Sequence, residues 1–264
     1  MQQLKVLHLA AHYPVYRAKS FKLHGVHSPF IFELYHNVIL HDGFYVAYGN
    51  VEALRSELLQ DNTELEVTDF GAGPKAGKKR KRLLKDIAAS SAKPAKYGQL
   101  LFRLVNHFQP TTIFDLGTSL GITTSYLASA RKNGKVYTFE GCPNITNTAQ
   151  QNFKKLGLEN IELVQGNLDE TLEKQVNQVQ QLDFVFFDGN HRYEPTMRYF
   201  NLCLTKSHEY SVFVIDDLYW SAEMKRAWQE IKKHPKVLQT VDLFYVGLVF
   251  FRTSQPKENF TLYF

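Results

Sequence analysis

Ile113-Phe-Asp-Leu-Gly-Thr-Ser-Leu-Gly-Ile-Thr-Thr124 decides the fold of this chain. An apolar strand runs into Asp115, a turn carrying Gly117 and Gly121 follows, and a helix begins. Nineteen residues after Gly121 a second apolar strand, Val136-Tyr-Thr-Phe139, ends on Glu140. This spacing predicts a nucleoside-binding βαβ unit. The glycines let the backbone approach a ligand, and an acidic residue after the second strand accepts both ribose hydroxyls.

A dinucleotide site usually needs three glycines and a helix N-terminus aimed at a pyrophosphate. Here only a Gly-x-x-x-Gly pair is present, and Asp115 stands just before it. A carboxylate there would repel a pyrophosphate and suits a cation, such as the α-ammonium of S-adenosylmethionine. The two stretches resemble the first two motifs of class I S-adenosylmethionine-dependent methyltransferases. That resemblance implies that Asp115, Gly117, Thr118, Ser119 and Gly121 wrap the methionine portion and that Glu140 holds the ribose. A third strand, Ile161-Glu-Leu-Val-Gln165, leads into Gly166-Asn167. The family often places an acidic residue where Asn167 stands, bonded to the adenine amine; the amide oxygen of Asn167 can accept that bond.

From residue 111 onward the pattern alternates strictly. Strands are predicted near 112–116, 135–140, 161–165, 183–188 and 210–216, and helices near 120–131, 143–156, 168–180, 195–206 and 218–233. The continuous apolar runs at 184–187 and 212–215 suit a sheet buried on both faces. Right-handed crossovers then give a doubly wound sheet. Two last strands, 237–242 and 245–251, are joined by a short link and predict an antiparallel hairpin at one edge. A parallel core closed by such a hairpin resembles the Rossmann-like methyltransferase sheet. The expected class is therefore α/β, with a helical N-terminal extension. Residues 1–95 read as an accessory or cap region and residues 96–264 as the domain that binds S-adenosylmethionine.

Within the extension, Ser28-Pro29 reads as an N-cap and first helical position, opening a helix to about residue 40. A second helix is expected at 51–60, a strand at 65–70 broken by Gly71-Ala-Gly73-Pro74, a helix at 83–89 and an amphipathic helix at 97–108. His24 and His27 lie three apart, but no third ligand of the right kind is nearby, so a loop-packing role is favoured.

In an open α/β sheet the ligand lies beyond the carboxyl ends of the strands. Asp188 follows the fourth strand, and Asp216 and Asp217 follow the fifth. Like charges brought together need a cation or a shared proton, and Mg²⁺ with oxygen ligands answers that need. The metal set read from the sequence is Asp188, Asp216 and Asp217. This arrangement resembles the metal-dependent small-molecule O-methyltransferases. Ile215-Asp-Asp217 looks most like the macrolide and aminocoumarin sugar type, since catechol-type enzymes carry Asp-Asn there and a lysine base that this chain lacks. The similarity covers roughly residues 97–252. It implies attack of a substrate hydroxyl on the sulfonium methyl, with Asp188 or His191 taking the proton. Blander readings stand beside these roles: Asp188 touching the cofactor alone, Asp217 as a helix N-cap, and His191 as a helix-start residue with a local hydrogen bond.

Composition narrows the class. A chain of 264 residues, 44% hydrophobic, suits one α/β domain with an extension. No apolar run approaches a membrane span, and no secretory layout opens the chain. Cys142 and Cys203 lack metal-ligand spacing and read as reduced packing residues; together these features lead us to expect a cytoplasmic protein without membrane partners. The net charge of +5 is local, because seven basic residues crowd positions 75–85 and the remaining 24 face 26 acidic ones. This run reads first as a solvated loop entering a helix. A competing reading makes it the docking site of an RNA or protein methyltransferase, but no aromatic residues interleave with the run, which disfavours nucleic acid as the partner without removing it. A third reading is an NAD-linked oxidoreductase or a non-catalytic binder of S-adenosylmethionine. The pattern sets no oligomeric state and is compatible with a homo-oligomer.

Overall fold

The computed structural model describes residues 2–22, 25–68, 79–91 and 93–264. The chain gathers into two compact units, residues 42–178 and residues 1–41 with 179–264. The boundary expected at 95/96 falls inside the first of these. The second unit opens the chain with α1 (Gln2–Lys19), which carries Pro14 in its interior and has no counterpart in the sequence reading. Next comes α2 (Pro29–Leu34), capped as expected by Ser28, whose Oγ accepts from the Ile31 amide at 3.4 Å. It runs on as a π-helical turn, Tyr35–Ile39. His24 lies outside the described residues, and His27 is exposed.

The unit of residues 42–178 begins with α3 (Val46–Leu58), five residues earlier than expected. Two strands, β1 (Glu64–Thr68) and β2 (Lys79–Leu83), then pair antiparallel. The basic run was expected to be a solvated loop, and its described part is instead this second strand. The reason is cross-strand charge pairing. Lys81 sits opposite Glu66 and forms an ion pair with Glu64 at 2.7 Å. Lys75, Lys78 and the 71–74 breaker lie outside the described residues. β2 leads directly into α4 (Leu84–Ser91), and α5 (Ala95–Phe108) buries Leu100, Leu101, Leu104 and Val105 on its apolar face.

The alternation then appears as read. β3 (Thr112–Asp115), β4 (Lys135–Glu140) and β5 (Ile161–Gln165) run parallel in that order. Between and after them lie α6 (Ile122–Ala130), α7 (Pro143–Lys155) and α8 (Leu168–Gln178). Tyr48, Phe102 and Tyr126 join α3, α5 and α6 in one core. Gly121 is needed at the head of α6: its φ is +81°, and an added Cβ would stand 2.4 Å from the Phe153 ring. Its space is thus taken by α7, so this glycine serves the turn and helix packing before any ligand. Gly121→Ala should cost about 1–3 kcal/mol from overpacking and left-handed strain; urea unfolding checks it, and an unchanged midpoint would refute it.

The other unit continues with β6 (Phe184–Phe187), α9 (Tyr193–Leu204), β7 (Val212–Asp216) and α10 (Ala222–Lys233). β6 and β7 are parallel and buried throughout, as their apolar runs require. β8 (Gln239–Asp242) and β9 (Val246–Phe250) form the expected antiparallel hairpin, and β9 pairs antiparallel with β7. The hairpin is not the edge, however. A further strand, β10 (Glu258–Thr261), lies parallel to β8 outside it, giving the order β10-β8-β9-β7-β6. Its four residues bury only Phe260, so no alternation announced it.

Candidate active site

The first site is the carboxyl end of β3 and β4. Asp115 closes β3 and is fully buried. Its Oδ2 accepts from Thr124 Oγ1 at 2.6 Å and Thr138 Oγ1 at 3.1 Å, while Oδ1 has no hydrogen-bond partner. Burial pushes its carboxyl up to about 7, against the two threonine bonds that lower it. An orphaned, buried carboxylate oxygen is what a cationic ligand group would satisfy. The unfolded chain ionises this group at its ordinary value, so stability is full below about pH 4 and falls as pH rises to about 7. Asp115→Asn keeps an oxygen for both threonines and removes that loss. The variant should therefore exceed the parent in urea unfolding near pH 8 but not near pH 4; identical pH profiles would contradict this.

The turn is pinned across to β4. The Thr118 amide donates to the Phe139 carbonyl at 3.0 Å, and its hydroxyl meets that of Thr138 at 2.7 Å. Gly117 has φ +150° and Ser119 φ +46°, so both lie in the left-handed region. This conformation turns the Ser119 amide onto Glu140 Oε2 at 3.0 Å, and the Cys142 amide donates to Oε1 at 2.8 Å. A carboxylate has about four acceptor positions, and each oxygen of Glu140 takes one of these two amides. Glu140 is half-buried at the end of β4. Asn167 follows β5 at the head of α8. Its amide oxygen accepts from the Asp169 amide at 3.1 Å at the start of α8, a capping bond that uses one of its two lone pairs.

The second site belongs to the other unit. Asp188 follows β6, and Asp216 closes β7 with no exposed surface. One donor atom each of Asp188, His191 and Asp216 lies within 4.8 Å of the others. His191 Nε2 is 3.5 Å from Asp188 Oδ1, and Nδ1 is 3.9 Å from Asp217 Oδ2. Two carboxylates and an imidazole form a donor set that a divalent cation accepts. The expected trio thus changes by one member: His191 joins the cluster, and Asp217 stands on the far side of the ring. Nor is Asp217 an N-cap. Ser221 caps α10, its Oγ accepting from the Met224 amide, while Asp217 takes φ +54° in the preceding loop.

Sequence reasoning missed two supports of that loop. Asp242 is buried, and its Oδ2 accepts from Tyr219 Oη at 2.7 Å and Trp228 Nε1 at 3.2 Å. The Tyr219 ring stacks on Phe244 at 5.1 Å. An acid ending a strand was the only signal, and it named no partner. Thr124 and Thr138, the partners of Asp115, were equally silent.

Residues 114–218 match the Methyltransf_24 family model, described as a methyltransferase domain. Similar solved structures carry the same Rossmann-like α/β fold. One is an O-methyltransferase of Bacillus cereus in complex with S-adenosylhomocysteine, 17% identical, TM-score 0.56, covering 81% of this chain and 95% of that one. The S-adenosylhomocysteine-bound methyltransferase PaMTH1 of Podospora anserina is 13% identical, TM-score 0.58, with 86% and 97% covered. The O-methyltransferase TomG of Streptomyces achromogenes, involved in tomaymycin synthesis and in complex with S-adenosylmethionine, is 17% identical, TM-score 0.55, with 82% and 94% covered. No curated protein matches the chain by sequence.

Proposed function

We propose that the protein methylates a hydroxyl of a small molecule, with Glu140 holding the cofactor's ribose and Asp115 balancing its positive charge. The observation that carries this reading is the Glu140 carboxylate held by two backbone amides at the end of β4. S-adenosylmethionine, when bound, supplies an electrophilic methyl on a sulfonium. Gly117, Thr118 and Ser119 then enclose the methionine portion beside Asp115. Asp188, His191 and Asp216 would hold Mg²⁺, which when present lowers the pKa of a hydroxyl and fixes its oxygen. The solved O-methyltransferases of the same fold support oxygen as the acceptor atom.

A metal-free reading draws on His191 itself. Its imidazole stands between the Asp188 and Asp217 carboxylates, with Nε2 3.5 Å from Asp188 Oδ1 and Nδ1 3.9 Å from Asp217 Oδ2. His191 would then take the hydroxyl proton, with Asp188 as its partner. RNA or protein as the acceptor is less favoured, because Glu64 and Glu66 offset part of the basic strand. Among the described residues no helix is long and apolar enough to cross a membrane. Both cysteines are free and buried, which suits the cytoplasm that we propose for the protein. A homo-oligomer is compatible with this reading.

Calorimetry with S-adenosylhomocysteine and with NAD⁺ tests the cofactor, and methyl transfer to a panel of small hydroxyl compounds tests the reaction. Binding of the homocysteine and transfer that falls on adding a chelator would support the metal-assisted reading. Transfer indifferent to the chelator favours His191 alone. Binding of NAD⁺ without the homocysteine would overturn the proposal, and homocysteine binding with no transfer across the panel would leave a non-catalytic binder.

A further inference from the structure

Each amide that holds Glu140 belongs to a residue gripped from elsewhere in the same unit. Ser119 donates its hydroxyl to Ser91 Oγ at 2.8 Å, and Ser91 passes its own proton to the Ile87 carbonyl at 2.8 Å. The direction of that chain is therefore fixed from the turn into α4. On the other side, the Asn144 side-chain amide donates to the Glu66 carbonyl of β1 at 2.7 Å, and the Thr68 amide meets Cys142 Sγ at 3.4 Å. β1 and α4 act as one piece, because β2 pairs with β1 and runs straight into α4. The Leu84 and Lys85 amides also bond back to the Thr63 and Asp61 carbonyls at 2.9 and 3.0 Å. Ser119 needs such support, since a non-glycine residue at φ +46° is strained unless its surroundings fix it.

We propose that β1 and α4 set the cofactor affinity of the enzyme, with Ser91 and Asn144 as positioning residues that keep the Ser119 and Cys142 amides on Glu140. The inference rests on the cofactor reading above and extends it to a part of the chain that no binding motif covers. Ser91 bonds to the turn and Asn144 to β1, and neither bonds to Glu140 itself in the contacts above. Their loss therefore weakens the cofactor and leaves the chemical step alone.

Calorimetry with S-adenosylhomocysteine on the full chain, paired with steady-state kinetics, tests this in Ser91→Ala, Asn144→Ala and Ser91→Thr. Each alanine variant should weaken the homocysteine about 3- to 10-fold, the net worth of one hydrogen bond. The KM for S-adenosylmethionine should rise in step, while kcat and the acceptor KM hold within about twofold, as for lost uniform binding. Ser91→Thr keeps the hydroxyl and should restore affinity. Unchanged affinity in both alanine variants overturns this proposal alone, as does a fall in kcat that matches the rise in KM. Failure of the parent protein to bind the homocysteine overturns the cofactor reading and this proposal with it.

Discussion

Glu140→Ala is expected to weaken S-adenosylhomocysteine by at least about 100-fold, since hydrogen bonds to a charged group carry about 1.5–3 kcal/mol each and a diol makes two. The same change strips the Ser119 and Cys142 amides of their acceptor, so the turn that encloses the methionine portion loses its brace. Calorimetry reads the loss directly. Glu140→Gln separates the causes: it keeps one acceptor oxygen and should recover part of the affinity. Binding of the alanine variant within a few-fold of the parent would remove Glu140 from the site.

The second large effect lies in the other unit. Asp216→Asn keeps the size of a buried side chain and removes its charge. It should leave homocysteine binding intact and lower turnover about 10²- to 10⁴-fold, the several kcal/mol that a bound metal's charge supplies. Any response to added Mg²⁺ should vanish with it. Asp217→Ala should do far less, because that carboxylate stands outside the Asp188–His191–Asp216 cluster. An Asp216→Asn enzyme with full turnover and an unchanged Mg²⁺ response would show that the cluster plays no part.

What was legible in the sequence was local or periodic. The β3-turn-α6 stretch declared itself because apolar alternation, two glycines and an acidic strand end coincide within a dozen residues. The buried runs of β6 and β7 were equally plain, as was the Ser28-Pro29 cap. The failures share a cause, which is partnership across the chain. The basic run reads as a loop because its pairing partner, the strand with Glu64 and Glu66, is not joined to it by the charge pattern alone, and Arg80 and Lys81 stay solvent-exposed as expected. β10 buries one residue of four, so its parallel pairing with β8 left no alternation. α1 carries an interior proline, the feature that ordinarily marks a helix end.

The candidate sites divide in the same way. Strand ends located Asp115, Glu140, Asp188 and Asp216, because topology alone puts strand ends where ligands bind. Which way the side chains turn was not written there. His191 was read as a base, and the fold sets it between two carboxylates. The sequence does not show that the Asn167 oxygen also caps α8. Ser91 reaches Ser119 across 28 positions, a bond that only the folded chain creates.

A crystal structure with S-adenosylhomocysteine tests the central claim most directly. Both ribose hydroxyls should lie within hydrogen-bonding distance of the Glu140 carboxylate, with the α-ammonium on the Asp115 side of the Gly117–Gly121 turn. A ligand bound elsewhere, or a Glu140 side chain swung away from the sugar, would contradict it.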